Sequence, residues 1–205
     1  MYMPVSYAGP VEDYKKLLNG VQLWDVSVER QVQIKGPDAQ ALAQFLTPRN
    51  IKKCSIGQAM YTPLTDFQGG LISDPVMLRI AEDCFWFSIS DGDILFWVQA
   101  IAAGYEFDVH VDEPDVSPLQ TQGPNSTKLM AKVFGDWVHD LAFYRFKEIT
   151  HAGIPMVIAR MGYSKELCYE IFLQDHSKGD ELWEILWEAG QDLNISPGGP
   201  NMILR

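Results

Sequence analysis

Cysteine is scarce in this chain of 205 residues: there are three, Cys54, Cys84 and Cys168. An odd number without close spacing argues against a disulfide framework and against a zinc site. Cys84 and Cys168 stand in apolar runs, so we expect both to be small buried hydrophobic residues.

Basic residues are also few, with 16 lysines and arginines against 27 acidic residues and a net charge of −11. Nucleic acid is therefore a poor partner, because binding phosphates needs a basic face. No apolar run approaches the length of a membrane span. The N-terminal segment lacks the charged and then apolar pattern of a signal peptide. We therefore expect a cytoplasmic protein with no membrane or nucleic-acid partner.

Strong catalytic motifs are missing as well. The chain has no Gly-x-Gly-x-x-Gly, no phosphate-binding loop and no His-Glu-x-x-His, which excludes the best-defined nucleotide and zinc-protease sites. Its histidines, at 110, 139, 151 and 176, do not have metal-ligand spacing. We therefore expect no metal site.

The chain does contain the means to form a core, since 47% of its residues are hydrophobic and 21% are charged. That suffices for one large domain or two small ones. Alternation of apolar residues predicts a hairpin of strands 75–80 and 84–89 with a tight turn at 81–83. Further predicted strands are 31–35, 59–64, 105–111, 155–160 and 168–173, and predicted helices are 13–18, 38–46, 93–103 and 180–193.

One local pattern occurs twice. Segments 36–39 and 123–126 read Gly-Pro-Asp-Ala and Gly-Pro-Asn-Ser, and each precedes a helical pattern. In the first copy Asp38 is a candidate N-cap, with Leu42, Phe45 and Leu46 as the apolar face. The repeat predicts two related α+β units, and chance similarity is the alternative.

Two carboxylates have informative positions. Asp74 follows the turn at 66–70 and directly precedes Pro75, so it can either contact a ligand at the sheet rim or cap the turn. Glu170 lies in an apolar strand, where a carboxylate is costly unless it is paired. It either points to a wet face or has a bonding role, and the pattern leaves both open.

Read as strings, several segments resemble the glycine-cleavage T-protein superfamily. They are LWDVS at 23–27, IKGPDAQALAQFLT at 34–47, the Gly-Gln-Ala-x-Tyr-Thr to Asp stretch of 57–74, QGP at 122–124, RMGYS at 160–164 and YEIF at 169–172. The ordered set covers nearly the whole chain. Segments 21–26, 74–76, 88–93 and 199–201 are more similar to the dimethylsulfoniopropionate demethylases of that superfamily than to T-proteins.

The resemblance implies an α+β folate-binding region over residues 1–205. It implies two intertwined antiparallel-sheet lobes, 1–30 with 119–205 and 31–118. The superfamily's third, barrel-like lobe is expected to be absent. A second chain, either another copy or a separate partner, is thus a candidate for completing the site.

The resemblance also implies the chemistry: transfer of a methyl group from dimethylsulfoniopropionate, or a similar small-molecule donor, to N5 of tetrahydrofolate. Asp74 would be the catalytic acidic residue beside the reactive nitrogen, and Glu170 would anchor the pterin. The remaining pocket residues would be Tyr61, Val76, Leu78, Ser88, Ser90 and Tyr163. Two alternatives remain, a glycine-cleavage aminomethyltransferase and a non-catalytic folate-binding module.

Overall fold

A computed structural model describes residues 4, 6–89, 92–162 and 164–199. The chain divides into two compact units. The inner unit is Glu29–Val116, and the outer unit combines Met1–Val28 with Ser117–Arg205. Because the inner unit is inserted into the outer one along the sequence, the outer sheet is built from both ends of the chain.

The regular elements alternate between strands and short helices. The strands are β1 Val21–Asp25, β2 Gln31–Lys35, β3 Gln58–Tyr61, β4 Leu64–Thr65, β5 Leu71–Ser73, β6 Val76–Ala81, β7 Cys84–Ser88, β8 His110–Asp112, β9 Ser117–Gln122, β10 Phe146–His151, β11 Ile154–Ala159, β12 Cys168–Leu173 and β13 Ile195–Gly198. The α-helices are α1 Pro10–Asn19, α2 Ala39–Phe45, α3 Leu95–Gly104, α4 Ser126–Phe134 and α5 Gly179–Ala189, and short 3₁₀ turns span Ile51–Lys53, Asp136–Asp140, His176–Lys178 and Gln191–Leu193.

The inner unit has a five-stranded sheet in the order β3-β6-β7-β2-β8, antiparallel throughout, with β4 and β5 as a separate pair. One face of this sheet, which we call the packed face, buries residues such as Val32, Met77 and Phe87 with Leu42 of α2 and Val98 of α3. Burial of these apolar side chains is the main stabilising contribution to the unit.

The outer unit has a six-stranded sheet in the order β10-β11-β12-β9-β1-β13. Its pairs are antiparallel except for β1 with β13, which is parallel. Its packed face buries Leu23 and Ile171 against Leu129 and Met130 of α4 and Leu186 of α5. Helix α1 lies near the other face, where Leu17 packs with Trp24 and Val26.

The repeated Gly-Pro turns have the same geometry in both units. Gly36 and Gly123 take positive φ angles of 142° and 120°, and each carbonyl accepts a hydrogen bond of 3.0 Å from the amide three residues later. A Cβ would lie 2.7 Å from the Asp108 carbonyl oxygen at Gly36 and 2.6 Å from that of Gly20 at Gly123. Both positions therefore require glycine, and the two units share one local design.

Some predicted elements are wrong in detail. Phe45 is 44% exposed because it packs sideways on Tyr105, with ring centroids 4.6 Å apart. The strand predicted from 105 begins only at β8, since the amide of Tyr105 still donates to Ile101 at the end of α3. Asp38 takes the N-cap position without capping, because its carboxylate accepts from the Asp108 amide at 2.9 Å.

Pro197 and Gly198 both disfavour regular structure, yet they lie in β13. A proline is tolerated there because β13 is an edge strand and one side of its backbone needs no sheet partner. Among helices in the part of the chain that the structure describes, none has the length and apolar character to cross a membrane.

Candidate functional site

Four predicted site residues of the inner unit, Tyr61, Val76, Leu78 and Ser88, lie on the sheet face opposite the packed face, which we call the second face. Tyr61, Val76, Ser88 and Gln31 are successive cross-strand partners on β3, β6, β7 and β2. Cross-strand partners project from the same face. The register therefore brings Tyr61, Val76 and Ser88 into one row.

Leu78 lies in the neighbouring row on the same face, opposite Trp86, which in turn pairs with Gln33. The Trp86 indole donates to the Gln33 side-chain oxygen at 3.0 Å. The Gln33 amide donates to Asp112 at 2.9 Å. This second row thus joins an apolar residue to a hydrogen-bonded polar set.

Asp74 lies in the connection between β5 and β6. The Tyr61 hydroxyl donates to its Oδ2 atom at 3.0 Å, and the Thr62 amide binds the Pro75 carbonyl at 2.9 Å. Asp74 is exposed. Asp66 instead holds the turn at 66–70, accepting from the amides of Gln68 and Gly70 at 2.8 and 2.7 Å. Turn capping is therefore excluded as the explanation for Asp74.

Gln31, at the end of the first row, was missed by sequence reasoning. Its side chain is 1% exposed, and its amide donates to the Glu29 carbonyl at 2.6 Å. Its Oε1 atom is buried without a hydrogen-bond partner among the described residues. A buried unsatisfied acceptor is costly, so a ligand that donates a hydrogen bond there would relieve it.

Glu170 lies on β12 of the outer unit. Every residue of that strand is buried, and Glu170 is 7% exposed. The alternative that Glu170 points to a solvent-exposed face is therefore wrong. Glu170 pairs with Gln120 of β9, which pairs with Trp24 of β1, and all three lie on the face opposite the outer unit's packed face. The Gln120 amide donates to the Glu170 carboxylate at 2.8 Å.

The next row on this face continues the polar set. Cys168 pairs with Gln122, and the Gln122 amide donates to the Gln120 oxygen at 2.9 Å. The Ser164 hydroxyl donates to Gln122 at 2.5 Å. Burial, with the nearby Glu170 charge adding to it, raises the pKa of the Cys168 thiol to about 12. The neutral thiol form of Cys168 is therefore favoured at neutral pH.

Most of the predicted site residues lie on the sheet faces opposite the two packed faces, one such face in each unit. Ser90 and Tyr163 lie outside the described residues. Sequence reasoning missed the glutamines, although Gln33 and Gln120 stand three residues before the repeated glycines, Gly36 and Gly123. That equal offset in two buried strands was the available signal.

The outer unit also has a cavity of about 490 Å³, lined by Tyr7, Asp25, His176, Asp180 and Trp183 among others. It contains none of the predicted site residues. Over the described positions, no three or more histidine, cysteine or acidic side chains are grouped to hold a metal ion.

The chain matches a known family. The family model described as the GCVT N-terminal domain matches residues 1–205, and the chain belongs to this family. The resemblance drawn from the motifs and the predicted α+β fold are thereby confirmed.

Individual relatives give the degree of similarity. The dimethylsulfoniopropionate demethylase DmdA of Ruegeria pomeroyi is 42% identical over 205 residues, which is 100% of this chain and 56% of that protein. An aminomethyltransferase of Halothermothrix orenii is 32% identical, covering 96% of this chain and 56% of its own length. The glycine cleavage system aminomethyltransferase T of Bartonella henselae has the same fold, with a TM-score of 0.86, 24% identity and coverage of 98% and 54%. The chain thus spans about half the length of these relatives.

Proposed function

We propose that this chain binds tetrahydrofolate and transfers to its N5 a methyl group from dimethylsulfoniopropionate or a similar methyl donor. The observation that carries the proposal is the buried carboxylate of Glu170, held by the Gln120 amide at 2.8 Å, in a chain 42% identical to a dimethylsulfoniopropionate demethylase. Burying a carboxylate in a strand costs free energy. A role in binding a ligand with complementary hydrogen-bond donors would explain why the residue is there.

The chemistry of the side chains fits a folate. The pterin edge presents an amino group beside a ring N–H, and one carboxylate can accept both hydrogen bonds. Glu170 would make this contact. Taken by itself, the inner unit offers the unsatisfied oxygen of Gln31 as an acceptor for a ligand, beside the apolar side chains of Val76 and Leu78 in two neighbouring rows. Tyr61 would hold Asp74 through the 3.0 Å hydrogen bond between them.

The transfer needs orientation more than covalent help. A sulfonium carbon is already activated: its bond to sulfur breaks as the bond to nitrogen forms, and a thioether leaves. Holding the reacting atoms in line can supply on the order of 7–11 kcal/mol. Asp74 would stabilise the positive charge that develops on the nitrogen and then accept its proton. Its exposure in the free chain leaves it accessible to reactants.

Two other functions have specific support. The 32% identity to an aminomethyltransferase supports aminomethyl transfer, which would need a lipoyl-carrier partner and would give 5,10-methylenetetrahydrofolate. The coverage of about half of each relative supports a folate-binding module without activity of its own, or one that another chain completes.

The test begins with anaerobic calorimetric titration of the chain with tetrahydrofolate, followed by incubation with dimethylsulfoniopropionate and chromatography of the folates. We expect saturable binding and formation of 5-methyltetrahydrofolate. Binding with no methylated product from any sulfonium or methylated-amine donor would favour the binding module. Product only with an aminomethyl-lipoyl carrier would favour the aminomethyltransferase. A chain that melts cooperatively but does not bind tetrahydrofolate would refute all three functions for this chain acting alone.

A further inference from the structure

Three consecutive hydrogen bonds in the outer unit end on Glu170. The Ser164 hydroxyl donates to Gln122, Gln122 donates to Gln120 at 2.9 Å, and Gln120 donates to Glu170 at 2.8 Å. Gln120 and Gln122 are 2% and 0% exposed, so water does not compete for these groups. Side-chain networks of this kind are strongest when they are buried and fully connected.

The direction of the bonds is the informative feature. Each glutamine has its oxygen toward Ser164 and its nitrogen toward Glu170. An ionised carboxylate can only accept hydrogen bonds, so this orientation suits a charged Glu170. If Gln120 were reversed, its oxygen would face the carboxylate, and the carboxylate would need a proton to avoid repulsion. The orientation of Gln120 depends on that of Gln122, which in turn depends on the donated proton of Ser164.

We propose that Ser164, Gln122 and Gln120 form a positioning relay that keeps the Glu170 carboxylate ionised and oriented toward a ligand with paired hydrogen-bond donors. The relay residues act through Glu170 and are not themselves catalytic. The identification of the ligand as a pterin rests on the proposed function. The charge state of Glu170 in the free chain does not rest on it.

Within the sheet, the relay reaches Glu170 through the 2.8 Å hydrogen bond from Gln120. Its cross-strand neighbours on β11 and β9 are Ala159 and Gln120, and Trp24 follows on β1; none of these titrates. The charged groups that act on Cys168, two residues away on the same strand, are Glu170 itself, Arg160 after β11 and Glu166 before the strand. Asp13 of α1, near β1, uses its carboxylate to accept from the amides of residues 7 and 8.

The test is a carbon-detected NMR titration of the ligand-free chain labelled with [δ-¹³C]glutamate, with the Glu170 signal assigned by its loss in Glu170→Gln. In Gln120→Met, which keeps the side-chain volume and removes the donor, we expect the titration midpoint to rise by about one to two pH units. Ser164→Ala should shift it in the same direction, and Ser164→Thr, which retains a hydroxyl, should restore it. Gln191→Met is the control, because that glutamine is exposed in the same unit.

An unchanged midpoint in Gln120→Met would overturn the relay. Should that variant fail to fold, the pair Ser164→Ala and Ser164→Thr decides, and equal midpoints for the two would also overturn it. When the pH falls from 8 to 6, the affinity of Gln120→Met for tetrahydrofolate should decrease about tenfold more than the affinity of the native chain. A shifted midpoint in a chain that does not bind tetrahydrofolate would uphold the relay and refute the proposed function.

Discussion

Replacing Glu170 by alanine tests the central contact of the proposed site. The carboxylate is 7% exposed and accepts a hydrogen bond of 2.8 Å from Gln120. If it also accepts two from a pterin edge, each charge-assisted bond contributes about 1.5–3 kcal/mol. The loss would then be about 3–6 kcal/mol, or a weakening of tetrahydrofolate binding by two to four orders of magnitude.

The same substitution leaves the Gln120 amide without its acceptor, which costs about 1–3 kcal/mol of stability. Removing a buried charge offsets part of that cost, so the native fold should persist with a modestly lower melting temperature. Calorimetric titration measures the affinity, and a thermal melt measured by circular dichroism controls for folding. Glu148→Ala is the matched control, because Glu148 is exposed on β10 of the same unit. A cooperative Glu170→Ala protein that binds tetrahydrofolate within fivefold of the native affinity would refute the reasoning.

Three further substitutions probe other parts of the chain. Asp74→Asn should lower the methyl-transfer rate at least a hundredfold and change tetrahydrofolate affinity less than threefold, because charge stabilisation is needed during transfer; equal losses in rate and affinity would contradict this. Gly123→Ala should destabilise the chain by at least about 2 kcal/mol in urea unfolding, given its φ of 120° and a Cβ 2.6 Å from the Gly20 oxygen, and Gly153→Ala, with open space around its Cβ, should cost less. Burial raises the pKa of Glu29 from 4.5 to about 7, so the protonated form of Glu29 favours the folded state. Its contribution to stability is complete below pH 4.5, declines as the pH rises toward 7 and is lost above pH 7. Glu29→Gln should remove this decline, worth at most about 3 kcal/mol, and parallel pH profiles of native and variant stability would contradict the assignment.

Local patterns predicted much of the fold correctly. The hairpin of β6 and β7, the strand β12 and the helix after each Gly-Pro turn follow from short-range alternation and turn chemistry. One failure lies where the end of a helix competes with a strand pattern. The residues from Tyr105 to β8 alternate like a strand, but the end of α3 takes up the amides that a neighbouring strand would need.

The candidate site was predictable only in part. Family motifs indicated Asp74 and Glu170 as site residues. Their positions in the sequence alone also allowed Asp74 to be a turn cap and Glu170 to point to solvent. The burial of β12 removes one of those interpretations, and the use of Asp66 as the turn cap removes the other. The glutamines escaped notice because glutamine in a strand is usually a solvated residue, and only neighbouring strands can show it to be buried.

The sequence by itself determined the family, the α+β class and the repeated Gly-Pro pattern before two helices, because each depends on the order of residues along the chain. The tertiary structure decided which face of each sheet is packed, which residues share a row, and where Glu170 finds its donor. Those features depend on strand register and on burial by distant segments. Gln120 and Glu170 are 50 residues apart in the chain, and only the pairing of β9 with β12 makes them neighbours.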